Sequence, residues 1–148
     1  IIDTKYGRQY LEAIAKHHVS GQLKIAPEHS EDHVLQLMGK PGTEVLKRFI
    51  TLYRQINQDI GKKQFLTCYF IAAYPGCTNK DMKHLKTFIQ KELNFTPEQI
   101  QVFTPAPSTL ATMMYYTEKD SNGSDLFVEK KLQEKEKQKK TLVMKAAT

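Results

Sequence analysis

No stretch of this chain comes near the roughly 20 consecutive apolar residues that a bilayer-spanning helix needs, so no membrane partner is expected. Cysteine is scarce: only Cys68 and Cys77 are present. Two thiols do not make the disulfide framework of a small secreted domain. Nor do they supply the three or four thiolates that an iron–sulfur cluster usually takes. Cys68 lies within an apolar run, where a thiol behaves as a small buried hydrophobe. The opening IIDTKYGRQY lacks the charged and apolar blocks of a signal peptide. It runs from Ile1 straight into a helical pattern, so we expect an excised or processed piece of a cytoplasmic protein. No GxSxG, GxxxxGK[ST] or Ser-His-Asp order occurs.

What is present suits one globular core. The chain has 148 residues, 40% hydrophobic and 26% charged, which is an ordinary balance. Net charge is +6 and the pI about 9.2, which permits an anionic partner such as nucleic acid. Many of the lysines, however, lie at 129–140 among interleaved glutamates. A solvated helical face accounts for that run more simply.

Apolar spacing sets out the elements. Tyr6, Tyr10, Leu11 and Ile14 recur at helical intervals, and Ser20-Gly21 breaks the pattern. Residues 23–26 form a short strand stopped by Pro27. Ser30 is placed to cap a short helix that turns Val34, Leu35 and Met38 inward. Thr43 is placed to cap a longer one with a stripe of Val45, Leu46, Phe49, Ile50, Tyr53 and Ile56, closed by Gly61. Residues 65–73, FLTCYFIAA, are almost continuously apolar. That pattern predicts a strand buried on both faces, as in parallel sheets. Thr78 is placed to cap a helix burying Met82, Leu85, Phe88 and Ile89. Thr96-Pro97-Glu98-Gln99 has capping-box spacing for a single turn. A third strand covers 100–104, and Ser108 is placed to cap a helix through Met114 and Tyr116. After Thr117 a polar loop leads into a lysine- and glutamate-rich tail, expected to be a loosely attached helix or partly disordered. The fold expected is therefore α/β with parallel strands and flanking helices. Its main unit covers 1–117 and its tail 118–148.

The strand ends are where a site is expected. Each apolar run stops at an X-Pro step, Ala26-Pro27, Tyr74-Pro75 and Thr104-Pro105, shortly before a capped helix. Proline keeps the preceding residue extended and donates no hydrogen bond. In parallel α/β folds, ligands bind at the carboxyl ends of the strands, where helix N-termini favour anionic groups. Glu28 is the carboxylate at such an end. It reads equally as an acceptor for a ligand hydroxyl or amine and as a first-turn helix charge. His29 and His33 share a helical face, but HSEDH displaces the glutamate of HExxH and no third ligand is evident. No metal site is expected there. His17 and His18 fit a helix end, and Tyr115-Tyr116 fits packing.

The segment APEHSEDHVLQLM, residues 26–38, is similar to one reading roughly G-[LI]-[EQ]-S-G-S-D-x-V-L-x-x-M in tRNA methylthiotransferases and their relatives. Glu28, Asp32, Val34, Leu35 and Met38 fall on matching positions. Tyr74-Pro75-Gly76-Cys77-Thr78 resembles the G-F-P-G-E-T turn of the same radical S-adenosylmethionine superfamily, and residues 104–109 its S-P-x-P-G-T segment. HHVSGQLKIAPEH, LMGKP, YFIAAYPGCTNKDM, TPAPSTLATMMYYT and EKEKQKK together look like the YgiQ-type (UPF0313) radical SAM proteins. The likeness runs from about Lys5 to Lys140.

That resemblance implies the C-terminal half of a partial (β/α)6 TIM-like barrel followed by part of an appended domain. It implies that an intact enzyme holds a [4Fe–4S] cluster through CxxxCxxC and reductively cleaves S-adenosylmethionine to start radical chemistry. It places Glu28 near the nucleoside or methionine part, Ala73, Tyr74, Gly76, Thr104 and Pro105 beside adenine and substrate, and His29 among the cofactor-binding residues. The family pattern also departs here: CxxxCxxC is absent, Cys77 replaces the turn glutamate, and His29 replaces a serine. The chain alone should therefore be inactive, its partner being the N-terminal half of the barrel. An open half-barrel exposes sheet edges, so either a homodimer or poor stability is expected. The competing expectation is a non-enzymatic nucleotide- or RNA-binding α/β module.

Overall fold

A computed structural model describes residues 4–94, 97 and 100–143. The Thr96–Gln99 capping box expected from sequence lies largely outside the described residues. Helix α1 (Gly7–His17) leads into strand β1 (Gln22–Glu28), and then come α2 (Asp32–Leu37) and α3 (Thr43–Asp59). Strand β2 (Phe65–Ala72) is followed by α4 (Asn79–Phe88), which continues into a π-helical turn at Ile89–Leu93. Strand β3 (Ile100–Val102), α5 (Leu110–Thr117) and α6 (Leu132–Val143) complete the order. No helix of the described residues is long and apolar enough to cross a membrane.

The three strands form one sheet in the order β1-β2-β3, and both pairings are parallel. This is the α/β architecture expected, a parallel sheet flanked by helices, and it is consistent with a sector of a (β/α) barrel. All three carboxyl ends consequently lie along one edge.

The expectation that β2 is buried on both faces does not hold. Leu66, Cys68, Phe70 and Ala72 are buried on one face, Leu66 in a cluster with Leu11, Ala15, Ile50, Tyr53 and Ile56, and the other three in a cluster with Met82, Leu85, Met114 and Leu142. The alternate residues Thr67, Tyr69 and Ile71 are only half-buried, and on β1 Gln22, Lys24 and Ala26 are exposed. Helices cover one face of the sheet and leave the other open. Along that open face Tyr69 donates its hydroxyl to the Gln101 side chain of β3.

Several ends differ from expectation for local reasons. Pro27 does not stop β1; the strand runs on to Glu28 through a register shift between Ile25 and Glu28. A bulge is where a strand tolerates a residue without an N–H. Ser30 does not cap α2, whose N-cap is Glu31, and the Ser30 hydroxyl is buried without a hydrogen-bond partner among the described residues. Thr43 is the first residue of α3 rather than its cap. Its N–H is held by Asp32 Oδ1 at 2.7 Å, and its hydroxyl donates to the Ser30 carbonyl. Thr109, not Ser108, caps α5 by accepting from Thr112 N–H. Thr78 does cap α4, in a full capping box with Asp81.

The tail forms the helix anticipated, but not a loose one. Lys135, Gln138 and Leu142 of α6 are buried against α4, β2 and β3. The segment before it also docks: Phe127 carbonyl accepts from Gly76 N–H at 2.7 Å. Gly76 adopts φ +88°, and a Cβ there would lie 2.4 Å from Leu37 Cδ1 and 3.2 Å from Leu126 Cδ1. Replacing Gly76 by alanine should cost about 1–3 kcal/mol, from left-handed strain and crowding together. A urea midpoint displaced downward at unchanged slope would show it, and an unshifted midpoint would contradict it.

Candidate site at the strand carboxyl ends

Glu28 closes β1 in the left-handed region, at φ +68°, and Ala73 follows β2 at φ +57°. Non-glycine residues are held there only where surrounding contacts dictate it. Lys40 supplies one such contact, donating to the Ala26 carbonyl at 2.8 Å while its ammonium lies 3.3 Å from Glu28 Oε1. The Glu28 side chain stays about a quarter exposed. Tyr74 is buried beside it. Burial raises the Tyr74 phenol above its ordinary range, and the Glu28 carboxylate adds to that rise. The Tyr74 ring meets Phe103 edge to face at 5.2 Å, tying the end of β2 to that of β3. Thr104 and Pro105, just beyond, are exposed and half-buried respectively.

His29 is placed differently. It is fully buried, with Nδ1 accepting from Glu31 N–H at 3.0 Å. The neutral ring therefore carries its proton on Nε2, which lies 3.4 Å from Cys77 Sγ. Burial lowers the His29 pKa to about 4, against a smaller opposing pull from Asp81. Burial likewise pushes the Cys77 thiol up to about 12, with the Asp81 carboxylate adding to it. Both groups are neutral near pH 7, so this is no thiolate–imidazolium pair of the kind that makes a reactive cysteine.

Gln138 of α6 completes the arrangement. Its Oε1 accepts from Ala73 N–H at 2.9 Å and lies 3.6 Å from Cys77 Sγ, while its Nε2 donates to the Cys77 carbonyl at 3.3 Å. One side-chain amide thus satisfies backbone groups at both ends of the Ala73–Cys77 turn, as a neighbouring strand would. Glu28 and Tyr74 are brought together, and Gln138 joins Ala73 to Cys77, which in turn meets His29. Thr104 and Pro105 lie further along the same edge. Sequence reasoning missed Gln138, which sits as one polar letter within EKEKQKK. The only signal was its spacing from Lys135 and Leu142 on a common helical face.

The two cofactors implied by the resemblance fit unequally. Both cysteines are buried free thiols and Cys77 is already hydrogen-bonded, so these residues do not fit an iron–sulfur cluster. The part-exposed Glu28 carboxylate and the unpartnered Ser30 hydroxyl at the end of β1 do fit a polar ligand seated at the strand ends.

A parallel sheet with helices on one face and polar groups gathered at its carboxyl edge defines an α/β protein. No family model matches the chain. It is 56% identical over 138 residues to a UPF0313 protein of Fusobacterium nucleatum, a match covering 93% of this chain and 24% of that protein. A UPF0313 protein of Methanocella arvoryzae is 44% identical over 128 residues, and one of Porphyromonas gingivalis 50% over 113. The chain belongs to the UPF0313 family. It spans about a quarter or less of the length of these curated relatives.

Two outcomes are expected from this geometry. Because the folded pKa of His29 lies below its unfolded value, the unfolded state takes up the proton first. Stability should therefore fall as pH drops from about 6.5 to about 4. The loss is about 3 kcal/mol over that window. Urea titrations at several pH values would show that slope flattened in His29→Asn. In native protein Cys77 should resist a thiol reagent. In Gln138→Ala it should react many times faster as α6 loosens, and an unchanged rate would mean that Gln138 is not the latch.

Proposed function

We propose that this chain is the C-terminal part of the barrel of a radical S-adenosylmethionine enzyme, with Glu28 at the cofactor edge. The observation that carries the reading is the parallel sheet bearing one covered and one open face, with Glu28, Tyr74 and Thr104 along its carboxyl edge. In a closed barrel the open face would turn inward. The half-buried Thr67 and Tyr69 and the exposed Lys24 then become lining residues rather than anomalies. The free edge of β1 would pair with the preceding strand of the longer protein. An apolar cavity of about 390 Å³ between Ile25, Pro27, Val45 and Phe49 would receive part of that missing half.

Within this reading the chain's own residues bind and position. Glu28 accepts hydrogen bonds from a ligand hydroxyl or amine. Tyr74 and Phe103 wall the strand ends with apolar surface. Gln138 and Lys40 hold the two left-handed residues in place. The cluster, bound by cysteines outside this chain, would supply the electron for cleaving the cofactor. Substrate and compartment are not specified by these residues.

The RNA-binding alternative gains little from the tail. Lys135 is buried with its ammonium 4.6 Å from the centre of the Tyr115 ring, and Lys137 pairs with Glu134 at 3.2 Å.

The test is a full-length UPF0313 protein with iron and sulfide restored and a reductant added. It should release 5′-deoxyadenosine from S-adenosylmethionine, and replacing the residue equivalent to Glu28 by alanine should slow release about tenfold or more. This chain alone should release none. A fully reconstituted protein that leaves S-adenosylmethionine intact would overturn the reading.

A further inference from the structure

A second group of metal-competent side chains lies beside the strand ends. Glu31 and His33 come from the start of α2, and Asp81 and His84 from the first turns of α4. Each element thus presents one carboxylate and one imidazole, and they face each other crosswise. His33 Nε2 lies 3.5 Å from Asp81 Oδ2, and His84 Nδ1 lies 3.2 Å from Glu31 Oε2. Donor atoms of Glu31, His33 and Asp81 all lie within 4.8 Å of one another.

We propose that Glu31, His33, Asp81 and His84 form a binding site for a divalent transition-metal ion, with zinc the best match.

Ligand chemistry supports this choice. Imidazole with carboxylate selects zinc and its neighbours over magnesium or calcium, which prefer oxygen-only shells. Bonds of about 2.1 Å in a tetrahedral shell put adjacent donors about 3.4 Å apart. The two cross-pairs already have that separation. His84 stands outside the group of three, next to Glu31, and rotation of the half-exposed His33 and His84 side chains would bring the four donors together. Two carboxylates with two neutral imidazoles also balance a divalent charge. Asp81 is held by its capping bonds, accepting from Thr78 N–H at 2.8 Å and from the Thr78 hydroxyl at 2.6 Å. Such outer bonds are what orient a metal-binding carboxylate. The Asp-x-x-His spacing on α4 puts both donors on one face. His29, the histidine paired with His33 by sequence spacing, points away to Cys77 and takes no part.

The site would tie α2 to α4, and so the carboxyl end of β1 to that of β2. It requires no iron–sulfur chemistry, so it stands or falls separately from the proposed function.

The experiment uses the untagged chain, stripped with a chelator. It is titrated with Zn²⁺ by calorimetry and with Co²⁺ by visible absorption. One equivalent should bind, Co²⁺ should show the strong ligand-field bands of a tetrahedral site, and Zn²⁺ should raise the melting temperature. His33→Ala and His84→Ala should each weaken binding roughly tenfold or more. Both side chains are about half exposed, so circular dichroism should be unchanged. The His17→Ala, His18→Ala double variant should bind like the parent. Failure to bind Zn²⁺, or equal binding by the His33→Ala, His84→Ala double variant, would overturn the site. A cobalt–thiolate absorption abolished by Cys77→Ser would overturn it too, by placing the ion at the buried pair.

Discussion

The parallel pairing of β2 with both of its neighbours is the constraint on which everything else depends. It sets Ile25 against Cys68, Glu28 against Phe70 and Phe70 against Ile100. Parallel strands cannot be joined by tight hairpins, so each return passes through helices. Those helices pack on one face of the sheet and begin at its carboxyl edge. Glu28, Tyr74, Thr104 and the starts of α2, α4 and α5 therefore share one rim. With an antiparallel pairing, the same motifs would be divided between two ends of the molecule.

The rim is also where the backbone departs from low-energy geometry. Glu28 and Ala73 occupy left-handed conformations, and Gly76 does so where no side chain has room. Two of these departures are held by side chains from elsewhere in the chain, and Gly76 by the Phe127 carbonyl. Lys40 reaches back to the end of β1, and Gln138 comes from the far helix to the end of β2. A charged tail that reads as solvated is thus part of the rim. Its buried Gln138 and Leu142 connect α6 to the sheet, while Lys137 and Lys140 are exposed on its outer face.

Much of the fold was legible in the residues. Helical stripes such as Ile50, Tyr53 and Ile56, the run 65–72 and the Thr78 capping box report local periodicity and local hydrogen bonding, which a short window contains. Expectations failed where a long-range contact competed with a local one. Thr43 became the first residue of α3 because Asp32, eleven positions earlier, took its N–H. Ser30, a good cap by type, was displaced by the turn that buries His29 between Glu31 and Cys77. The apolar run of β2 predicted two covered faces, but only one is covered within this chain.

What the sequence determined by itself was the kind of elements, their order, and the concentration of polar residues at strand ends. Those follow from side-chain periodicity and from where proline and glycine interrupt it. The UPF0313 membership was also legible, because several spaced motifs carried it together. Only the tertiary structure decided which side chains meet: His29 with Cys77, Gln138 with Ala73, Glu31 with His84 and Asp81 with His33. The residues of those pairs are between 48 and 65 positions apart. Contacts across such distances depend on how crossover helices settle on a sheet, and no local pattern specifies that.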